Sequence, residues 1–283
     1  MLSTTAVRTT TLPSGEAVPV LGQGTWHMGE GKHPRKQEIE ALRLGLDLGM
    51  SLIDTAEMYG DGKAEELVGE AIAGRREDVF IVTKVLPQNA TRSGTVAACE
   101  RSLRRLKTNQ IDLYLLHWRE SVPLEETLAG FQELVQADKI RYWGVSNFDI
   151  SDMQELVNLP GGADVATDQV LYNLTRRGIE YDLLPWCVER SIPIMAYSPI
   201  EQGRMLHHAV LRRVAERHHA TPAQVGLAWV LRQDKVIAIP RAGVPDHVRE
   251  NRAALEVRLT QEDLAELDRA FPPPDGPRPL EML

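Results

Sequence analysis

The fold is decided by largely apolar runs that end in a chargeable residue, such as Phe80-Ile81-Val82-Thr83-Lys84. Four other runs follow the same pattern and end at Asp54, His117, Tyr197 and Arg241. A strand that is buried on both faces reads as a continuous apolar run. Reactive groups at the carboxyl ends of such strands are typical of the active site of a (β/α)8 barrel. The pattern therefore indicates where the chemistry lies before it indicates which chemistry it is.

Strand-like and helix-like segments alternate along most of the chain. The predicted strands are Val20–Gly24, Leu52–Thr55, Phe80–Lys84, Asp112–His117, Tyr142–Ser146, Ala166–Val170, Ile194–Tyr197 and Val236–Pro240. The predicted helices include Ala64–Ala73, Thr91–Leu106, Leu124–Ala137 and Ser151–Asn158, the last with Ser151 as its cap. Glu65, Glu66 and Glu70 are placed on the solvent face of the first of these helices. Strands that alternate with helices imply parallel βαβ units, and eight such units predict an α/β fold of the TIM-barrel type.

An N-terminal β-hairpin is predicted in front of the barrel, with its turn at Leu12-Pro13-Ser14-Gly15. No linker, low-complexity segment or break in composition follows, so residues 1–283 are expected to form a single domain. An open doubly wound sheet is the alternative fold, and it predicts one dominant phosphate-binding turn. The phosphate-binding turn of that fold has the motif GxGxxG. Gly22-Gln23-Gly24 begins like this motif, but the position of its last glycine is His27, so these glycines are interpreted as a turn at the first strand.

The composition excludes several functional classes. The net charge is −8, and no cluster of Lys and Arg stands out, which argues against nucleic acid and against an anionic membrane surface. No apolar stretch is long enough to span a bilayer. The segment Met1–Thr11 is polar and lacks the basic-then-apolar order of a secretory signal. A cytoplasmic protein, expected to act as a monomer, follows.

Neither the cysteines nor the histidine pairs point to a metal site. Cys99 and Cys187 lie in probable helices and are interpreted as thiols without a role. Adjacent side chains on a helix point about 100° apart, so one metal ion cannot easily use both members of His207-His208 or of His218-His219. We therefore predict no metal.

Four residues can be interpreted together as one chemical unit. A phenol has a pKa near 10, so Tyr59 alone is a poor acid at neutral pH. A neighbouring Lys84 would favour the phenolate and lower that pKa by about 1–3 units, while Asp54 would keep the lysine charged and fixed. His117 could orient a substrate oxygen by a hydrogen bond. This assembly suits protonation of a carbonyl oxygen while a hydride reaches the carbon, and it suits the reverse reaction.

Each of these residues also has an ordinary structural interpretation. An Asp at a strand end is often a helix cap, and a Lys there is often a solvated charge. A lone His more often forms ordinary hydrogen bonds within the fold than acts in catalysis. Four complementary groups at the same end of successive βα units favour the functional interpretation.

At this point the sequence resembles the aldo-keto reductases, and in particular their compact bacterial members. The resemblance covers nearly the whole chain in order. It is carried by Gly49–Ala56 with Tyr59-Gly60 and Glu65–Gly69, by Ile81–Lys84, by Ile111–Trp118, and by Ile239–Ala242 through Glu250-Asn251.

The resemblance implies a reductase that uses NADPH without a Rossmann domain. Tyr59 matches the general acid, Lys84 and Asp54 the residues that tune it, and His117 the residue that orients the carbonyl. Trp26 and Trp118 match walls of the substrate pocket, together with Tyr59 and His117. The residues matched to the cofactor are Gly24, Thr25, Trp26, Asp54, Ser146, Asn147, Gln169, Tyr197, Ser198, Pro199, Ile200, Gly203, Ile239, Arg241, Ala242, His247, Glu250 and Asn251.

Within that set, the resemblance assigns different parts of the cofactor to different residues. Ser146, Asn147 and Gln169 match the contacts to the nicotinamide carboxamide, and Tyr197 matches the aromatic residue on which the ring stacks. Ser198, Pro199, Ile200 and Gly203 match the loop that closes over the pyrophosphate. Glu250 and Asn251 match the adenine-side contacts.

Two departures from the family pattern bear on the choice of cofactor. Arg241 matches the cation that binds the 2′-phosphate, and a guanidinium can bind two of its oxygens at once. His247 stands where many members have Arg, and Ala242 stands where Ser is common. These changes weaken the preference for NADPH without removing it, so NADH is expected as an alternative cofactor.

The leading hypothesis is an NADPH-dependent reductase of aldehydes and ketones, with small reactive aldehydes such as methylglyoxal as substrates. A second hypothesis is a non-catalytic, nucleotide-sensing regulatory subunit, like the channel β-subunits of this fold. The intact tetrad argues against it. A third is a structural barrel without redox function, which leaves Arg241 and the Ser146-Asn147 pair unexplained. Met28 and Met205 are expected at the mouth of the pocket.

Overall fold

The computed structural model describes residues 6–283, so the first five residues of the Met1–Thr11 segment lie outside the described part. Within it, eight parallel strands form one sheet and pair in chain order. They are β3 (Gln23–Gly24), β4 (Leu52–Asp54), β5 (Phe80–Val85), β6 (Ile111–Leu116), β7 (Ile140–Ser146), β8 (Asp168–Leu171), β9 (Ile194–Tyr197) and β10 (Val236–Ala238). A separate antiparallel hairpin precedes them, with β1 (Thr9–Thr11) and β2 (Ala17–Pro19).

The sheet closes on itself. The segment around β3 bridges in parallel to the end of the chain's last strand, through Leu21 with Ala238 and Gly24 with Arg241. The Ala238 amide donates to the Val20 carbonyl (2.8 Å), and the Gly22 amide donates to the Ala238 carbonyl (2.9 Å). The predicted barrel is thereby confirmed, and the open-sheet alternative is wrong.

Ten α-helices lie in the described residues, most of them between successive strands. They are α1 (Arg35–Asp47), α2 (Lys63–Ala71), α3 (Arg92–Leu106), α4 (Leu124–Gln136), α5 (Ile150–Asn158), α6 (Leu183–Glu189), α7 (Ala209–Arg217), α8 (Pro222–Leu231), α9 (Pro245–Ala253) and α10 (Gln261–Ala270). Short 3-10 helices at Tyr59–Gly62 and Glu201–His207 follow β4 and β9. Most predicted ends differ from these by one or two residues.

Two local predictions are wrong. The cap of α5 is Asp149 rather than Ser151, because the Asp149 carboxylate accepts from the Asp152 amide (2.9 Å) and Asp152 returns a bond to the Asp149 amide. Glu65 does not face solvent: it is fully buried, and it accepts hydrogen bonds from the Thr83 hydroxyl (2.6 Å) and from Arg105. A carboxylate is buried at this position because two donors on neighbouring elements satisfy it.

Two apolar cores lie on either side of the strands. The larger one lies between the strands and the surrounding helices. The smaller one fills the interior of the barrel and includes Leu52, Val82, Leu113 and Met195. The hairpin contributes Leu12 and Val18 to this inner core, so its apolar residues close one end of the barrel.

Two further findings concern the described part as a whole. Between residues 6 and 283, no helix is long and apolar enough to cross a membrane. Cys99 in α3 and Cys187 in α6 are buried and unpaired, and burial raises the pKa of both thiols.

Candidate active site

The alternation of side chains along the strands brings the polar residues together. Successive side chains of a strand point to opposite faces, so residues two positions apart point to the same face. Val82 points into the barrel, and Lys84 therefore points inward as well. The same spacing of two residues relates Leu52 to Asp54 and Leu115 to His117. The reactive residues therefore form a polar layer above the inner apolar core, at the carboxyl ends of the strands.

Lys84 is the centre of this layer and has no solvent exposure. Its ammonium nitrogen donates to both carboxylate oxygens of Asp54 (2.9 Å each) and to the Thr55 carbonyl (2.8 Å). It also lies 3.3 Å from the Tyr59 hydroxyl oxygen. On the far side of Asp54, the Gln169 amide donates to the same carboxylate (2.8 Å). The predicted proximity of Asp54, Lys84 and Tyr59 is present.

The electrostatics differ from the sequence-based expectation at Tyr59. Burial raises the pKa of its phenol; Lys84 lowers it and Asp54 raises it, but neither contribution is as large as that of burial. The predicted net lowering of this pKa is therefore wrong, because desolvation of the phenolate cannot be read from a sequence. For Lys84, burial opposes the charge, but Asp54 and Tyr59 raise its pKa overall. The phenol is neutral at pH 7 and has a cation beside it.

His117 is a further neighbour of the Tyr59 phenol. Its ring contacts the Tyr59 ring edge to face, with the centroids 5.8 Å apart. Burial and the charge on Lys84 lower the pKa of His117 to about 2. The imidazole is therefore neutral at any physiological pH, carries a single N–H, and can form a hydrogen bond without bringing a second positive charge.

A second polar group lies at the ends of β7, β8 and β9. The Ser146 hydroxyl donates to the Gln169 carbonyl (2.7 Å), and the Tyr197 hydroxyl donates to the Asn147 side-chain carbonyl (2.9 Å). The Asn147 side-chain amide donates to the His117 carbonyl (3.1 Å). Asn147 has φ 59° and Ser198 has φ 46°, left-handed conformations that cost free energy in residues other than glycine. Such local strain is often found at functional sites.

A cleft of about 700 Å³ opens above these groups. The site residues predicted from the sequence that line it are Gly24, Trp26, Asp54, Tyr59, His117, Trp118, Ser146, Asn147, Gln169, Tyr197, Ser198, Pro199, Ile200, Gly203, Ile239, Arg241 and His247. Lys84 lies directly beneath it. Most of the predicted set is therefore gathered around one cavity.

Besides Lys84, four predicted residues do not line this cleft. Thr25 is buried, and its hydroxyl donates to the Asp54 carbonyl (2.9 Å). Ala242 is buried beside Arg241. The Glu250 carboxylate accepts a hydrogen bond from the Thr221 hydroxyl (2.6 Å), and Asn251 is buried in α9. Their assigned contacts to a cofactor stay predictions.

Other residues of the lining were not predicted. They are His27, Lys32, Met58, Gln202, Pro240, Met282 and Leu283. Met28 and Met205, which were expected at the mouth, are instead buried away from the cleft. No periodic pattern identifies most of these residues, because they come from loops and from the C-terminal segment.

Some buried donors have no hydrogen-bond partner among the described residues. They include Nε and one terminal nitrogen of the Arg241 guanidinium, and the side-chain nitrogen of Asn251. A buried donor without an acceptor costs about 1–3 kcal/mol, so the nitrogens of Arg241, which lines the cleft, are suited to a ligand that brings acceptor oxygens. In the described part of the chain, no group of three or more His, Cys, Asp or Glu side chains could hold a metal ion.

Comparison with known proteins agrees with this geometry. Residues 20–271 match the Aldo/keto reductase family. The chain is 54% identical over 272 residues to the methylglyoxal reductase YeaE of Escherichia coli strain K12, covering 94% of this chain and 96% of that protein.

Two crystal structures of aldo-keto reductases from Klebsiella pneumoniae superpose closely. The one in complex with NADP and acetate has a TM-score of 0.95 and 50% identity, over 97% of this chain and 99% of that chain. The one in complex with NADPH has a TM-score of 0.96 and 49% identity, over 98% and 100%.

Proposed function

The chain belongs to the aldo/keto reductase family, and from this premise we propose that it reduces aldehydes and ketones to alcohols with NADPH. The observation that carries the proposal is the buried Lys84 ammonium, 3.3 Å from the Tyr59 hydroxyl at the floor of the cleft. A buried charge beneath an open cavity gives no benefit to a barrel that is only structural. It does benefit a proton donor, because it stabilises the phenolate left after proton transfer.

The residues around the cleft fit NADPH. When bound, NADPH supplies the hydride, from C4 of its nicotinamide ring. Ser146, Asn147 and Gln169 offer amide and hydroxyl groups for the carboxamide, and Tyr197 offers a ring for stacking. The unsatisfied guanidinium nitrogens of Arg241 fit the oxygens of a 2′-phosphate. His247 lines the same cleft and gives a weaker contact than Arg would, so we propose NADPH as the preferred cofactor and NADH as a poorer one.

Tyr59 delivers the proton in this proposal. Its neutral phenol donates to the carbonyl oxygen as negative charge develops there. Lys84 stabilises the phenolate that remains, and Asp54 keeps the lysine in place through two hydrogen bonds. The neutral His117 ring donates its single N–H to the same oxygen and orients the carbonyl. General acid catalysis of this kind contributes about 10²–10⁴-fold to a rate.

We propose small reactive aldehydes, methylglyoxal among them, as substrates. The E. coli relative is named as a methylglyoxal reductase. The lining of the cleft includes the apolar side chains of Trp26, Met58, Trp118 and Met282. We propose that these side chains pack against the small substrate while its carbonyl oxygen meets the Tyr59 hydroxyl and the His117 ring.

The test is NADPH oxidation by the purified protein with a panel of aldehydes and ketones. We expect oxidation that depends on the added carbonyl compound, with methylglyoxal among the active ones. The competing hypothesis, a nucleotide-sensing regulatory subunit, predicts tight NADPH binding with no turnover on any member of the panel. That result would remove the proposed activity and favour the regulatory one.

Replacing Arg241 by Ala is expected to weaken NADPH binding by about 10–100-fold and NADH binding much less. The reason is that hydrogen bonds to a charged group contribute about 1.5–3 kcal/mol, and NADH lacks the 2′-phosphate. The measurement is fluorescence titration of each cofactor. Arg249→Ala is the matched control, because that Arg pairs with Asp246 on the surface of α9. Equal losses for the two cofactors in the Arg241 variant would count against the phosphate contact.

We also propose that the protein acts as a monomer in the cytoplasm. Two buried cysteines without a disulfide agree with a reducing compartment. Size-exclusion chromatography coupled to light scattering should give the mass of one chain, 31.6 kDa, and a stable multiple of that mass would refute the monomer.

A further inference from the structure

Glu57 is a buried carboxylate that the proposed chemistry does not use. It lies between Asp54 and Tyr59 in the chain, and its side chain is only 6% exposed. It does not line the cleft, and the hydrogen bonds of the Lys84 ammonium go to Asp54, Thr55 and Tyr59 rather than to it. Burying a carboxylate is costly unless donors surround it, so its partners indicate its role.

The side-chain partners of Glu57 all lie beyond the end of β5. One carboxylate oxygen accepts from the Leu86 amide (2.8 Å) and from the Asn89 side-chain amide (2.9 Å). The other oxygen accepts from the Arg101 guanidinium (3.3 Å). The backbone amide of Glu57 donates to the Lys84 carbonyl (3.3 Å). Glu57 therefore fastens the loop after β4 to the segment after β5 through both its side chain and its backbone.

This attachment lies next to the proton donor. Tyr59 follows Glu57 by two residues, and Lys84 precedes Leu86 by two residues. The attachment thus joins the loop that carries the phenol to the strand that carries the ammonium. The contact between Tyr59 and Lys84 measures 3.3 Å, near the upper limit of a hydrogen bond, so a displacement of a few tenths of an ångström would break it.

The loop also needs an external attachment. Directly after Tyr59, Gly60 has φ 57° and Asp61 has φ 55°, both in the left-handed region. A non-glycine residue in that region is strained and persists only where its surroundings hold it. The local sequence alone therefore does not fix the position of the phenol.

We propose that Glu57 is a positioning residue: it holds the Tyr59 loop against the end of β5 and so sets the contact between the phenol and Lys84. This inference rests on the proposed reductase function. It assigns Glu57 no contact with substrate or cofactor. A purely structural role would predict a loss of stability with unchanged turnover by the folded fraction.

The test compares Glu57→Ala, Glu57→Asp and Glu57→Gln with the wild type. The Ala variant is expected to lower kcat by about 10–100-fold, because a displacement of about 1 Å can cost 10²-fold. Its KM and its NADPH affinity should stay within about 2-fold, since Glu57 does not line the cleft. The Asp variant keeps the charge but is one methylene shorter, so kcat should also fall. The Gln variant keeps an oxygen for Leu86 and Asn89, and its kcat should stay within about 3-fold of the wild type.

The solvent deuterium isotope effect on kcat is the readout that a structural role would not change. We expect it to rise in the Ala and Asp variants, because a misplaced phenol makes proton transfer slower and more rate-limiting. Glu133→Ala is the matched control, since that carboxylate pairs with Arg92 on the surface. If Glu57→Ala does not fold, the Asp and Gln variants decide the question. Wild-type kcat and an unchanged isotope effect in Glu57→Asp would overturn the inference. A wild-type protein inactive on the whole carbonyl panel would instead overturn the reductase function itself.

Discussion

Replacing Tyr59 by Phe should lower kcat for carbonyl reduction by about 10²–10⁴-fold, while NADPH affinity stays close to that of the wild type. The substitution removes the hydroxyl that lies 3.3 Å from the Lys84 nitrogen and retains the ring that contacts His117. The shape of the cleft is kept, so the loss reports on the proton donor. The measurements are steady-state NADPH oxidation and a titration of cofactor binding.

Tyr181→Phe provides the matched control for this prediction. It also removes one phenolic hydroxyl, but from a side chain that is half exposed and outside the cleft. Its kcat should equal that of the wild type. Turnover by Tyr59→Phe at the wild-type rate would remove Tyr59 as the acid and leave His117 as the remaining candidate.

Replacing Lys84 by Met should have two large effects at once. The Asp54 carboxylate would stay buried without its cation, and breaking a buried ion pair on one side costs about 3–5 kcal/mol of unfolding free energy. The phenol would also lose the charge that stabilises its phenolate, so its pKa would rise further and reduction would slow. Urea unfolding measures the first effect and steady-state turnover measures the second.

The pH dependence has a definite sign. Reduction needs the protonated phenol, so activity is present below the pKa of Tyr59 and is lost as the pH rises through it. Because burial raises that pKa, and because burial and Lys84 hold the pKa of His117 far below neutrality, we expect the wild-type rate of reduction to be nearly constant across neutral pH. For alcohol oxidation, the increase with pH should move to higher pH in Lys84→Met.

A second substitution separates stability from activity. In Lys84→Met combined with Asp54→Asn, the buried charge is gone, so much of the lost stability should return while turnover stays low. Lys139→Met is the control, because the pair of Lys139 with Glu100 is partly exposed and should change stability by less than about 1 kcal/mol. Stability that stays unchanged in Lys84→Met would contradict the buried ion pair.

The sequence predicts the barrel and the central site well because both depend on strand periodicity. Asp54, Lys84 and His117 are placed by the alternation of their strands, and that alternation can be read from the printed residues. Tyr59 lies in a loop with left-handed residues, and we propose that Glu57, whose side-chain partners are 29 to 44 residues away in the chain, sets its position. Periodicity carries no information on such contacts.

The remaining errors have the same physical origin. Glu65 was expected in solvent because it is charged, but Thr83 and Arg105, which satisfy it, are distant in sequence. The net lowering expected for the pKa of Tyr59 counted one neighbouring charge and left out the loss of water around the phenol. Met282 and Leu283 line the cleft because the C-terminal segment returns across it, and their surroundings give no local signal.

The hairpin at the start of the described chain lies at one end of the barrel, away from the reactive groups. Leu12 and Val18 fill the end of the barrel opposite the cleft, so the interior has buried apolar side chains at one end and reactive groups at the other. Directed evolution can use this separation: mutations in the hairpin and the lower apolar layer would tune heat resistance, while libraries at Trp26, Met58 and Trp118 would tune substrate range. Gains from the two regions should add, because the regions lie at opposite ends of the barrel.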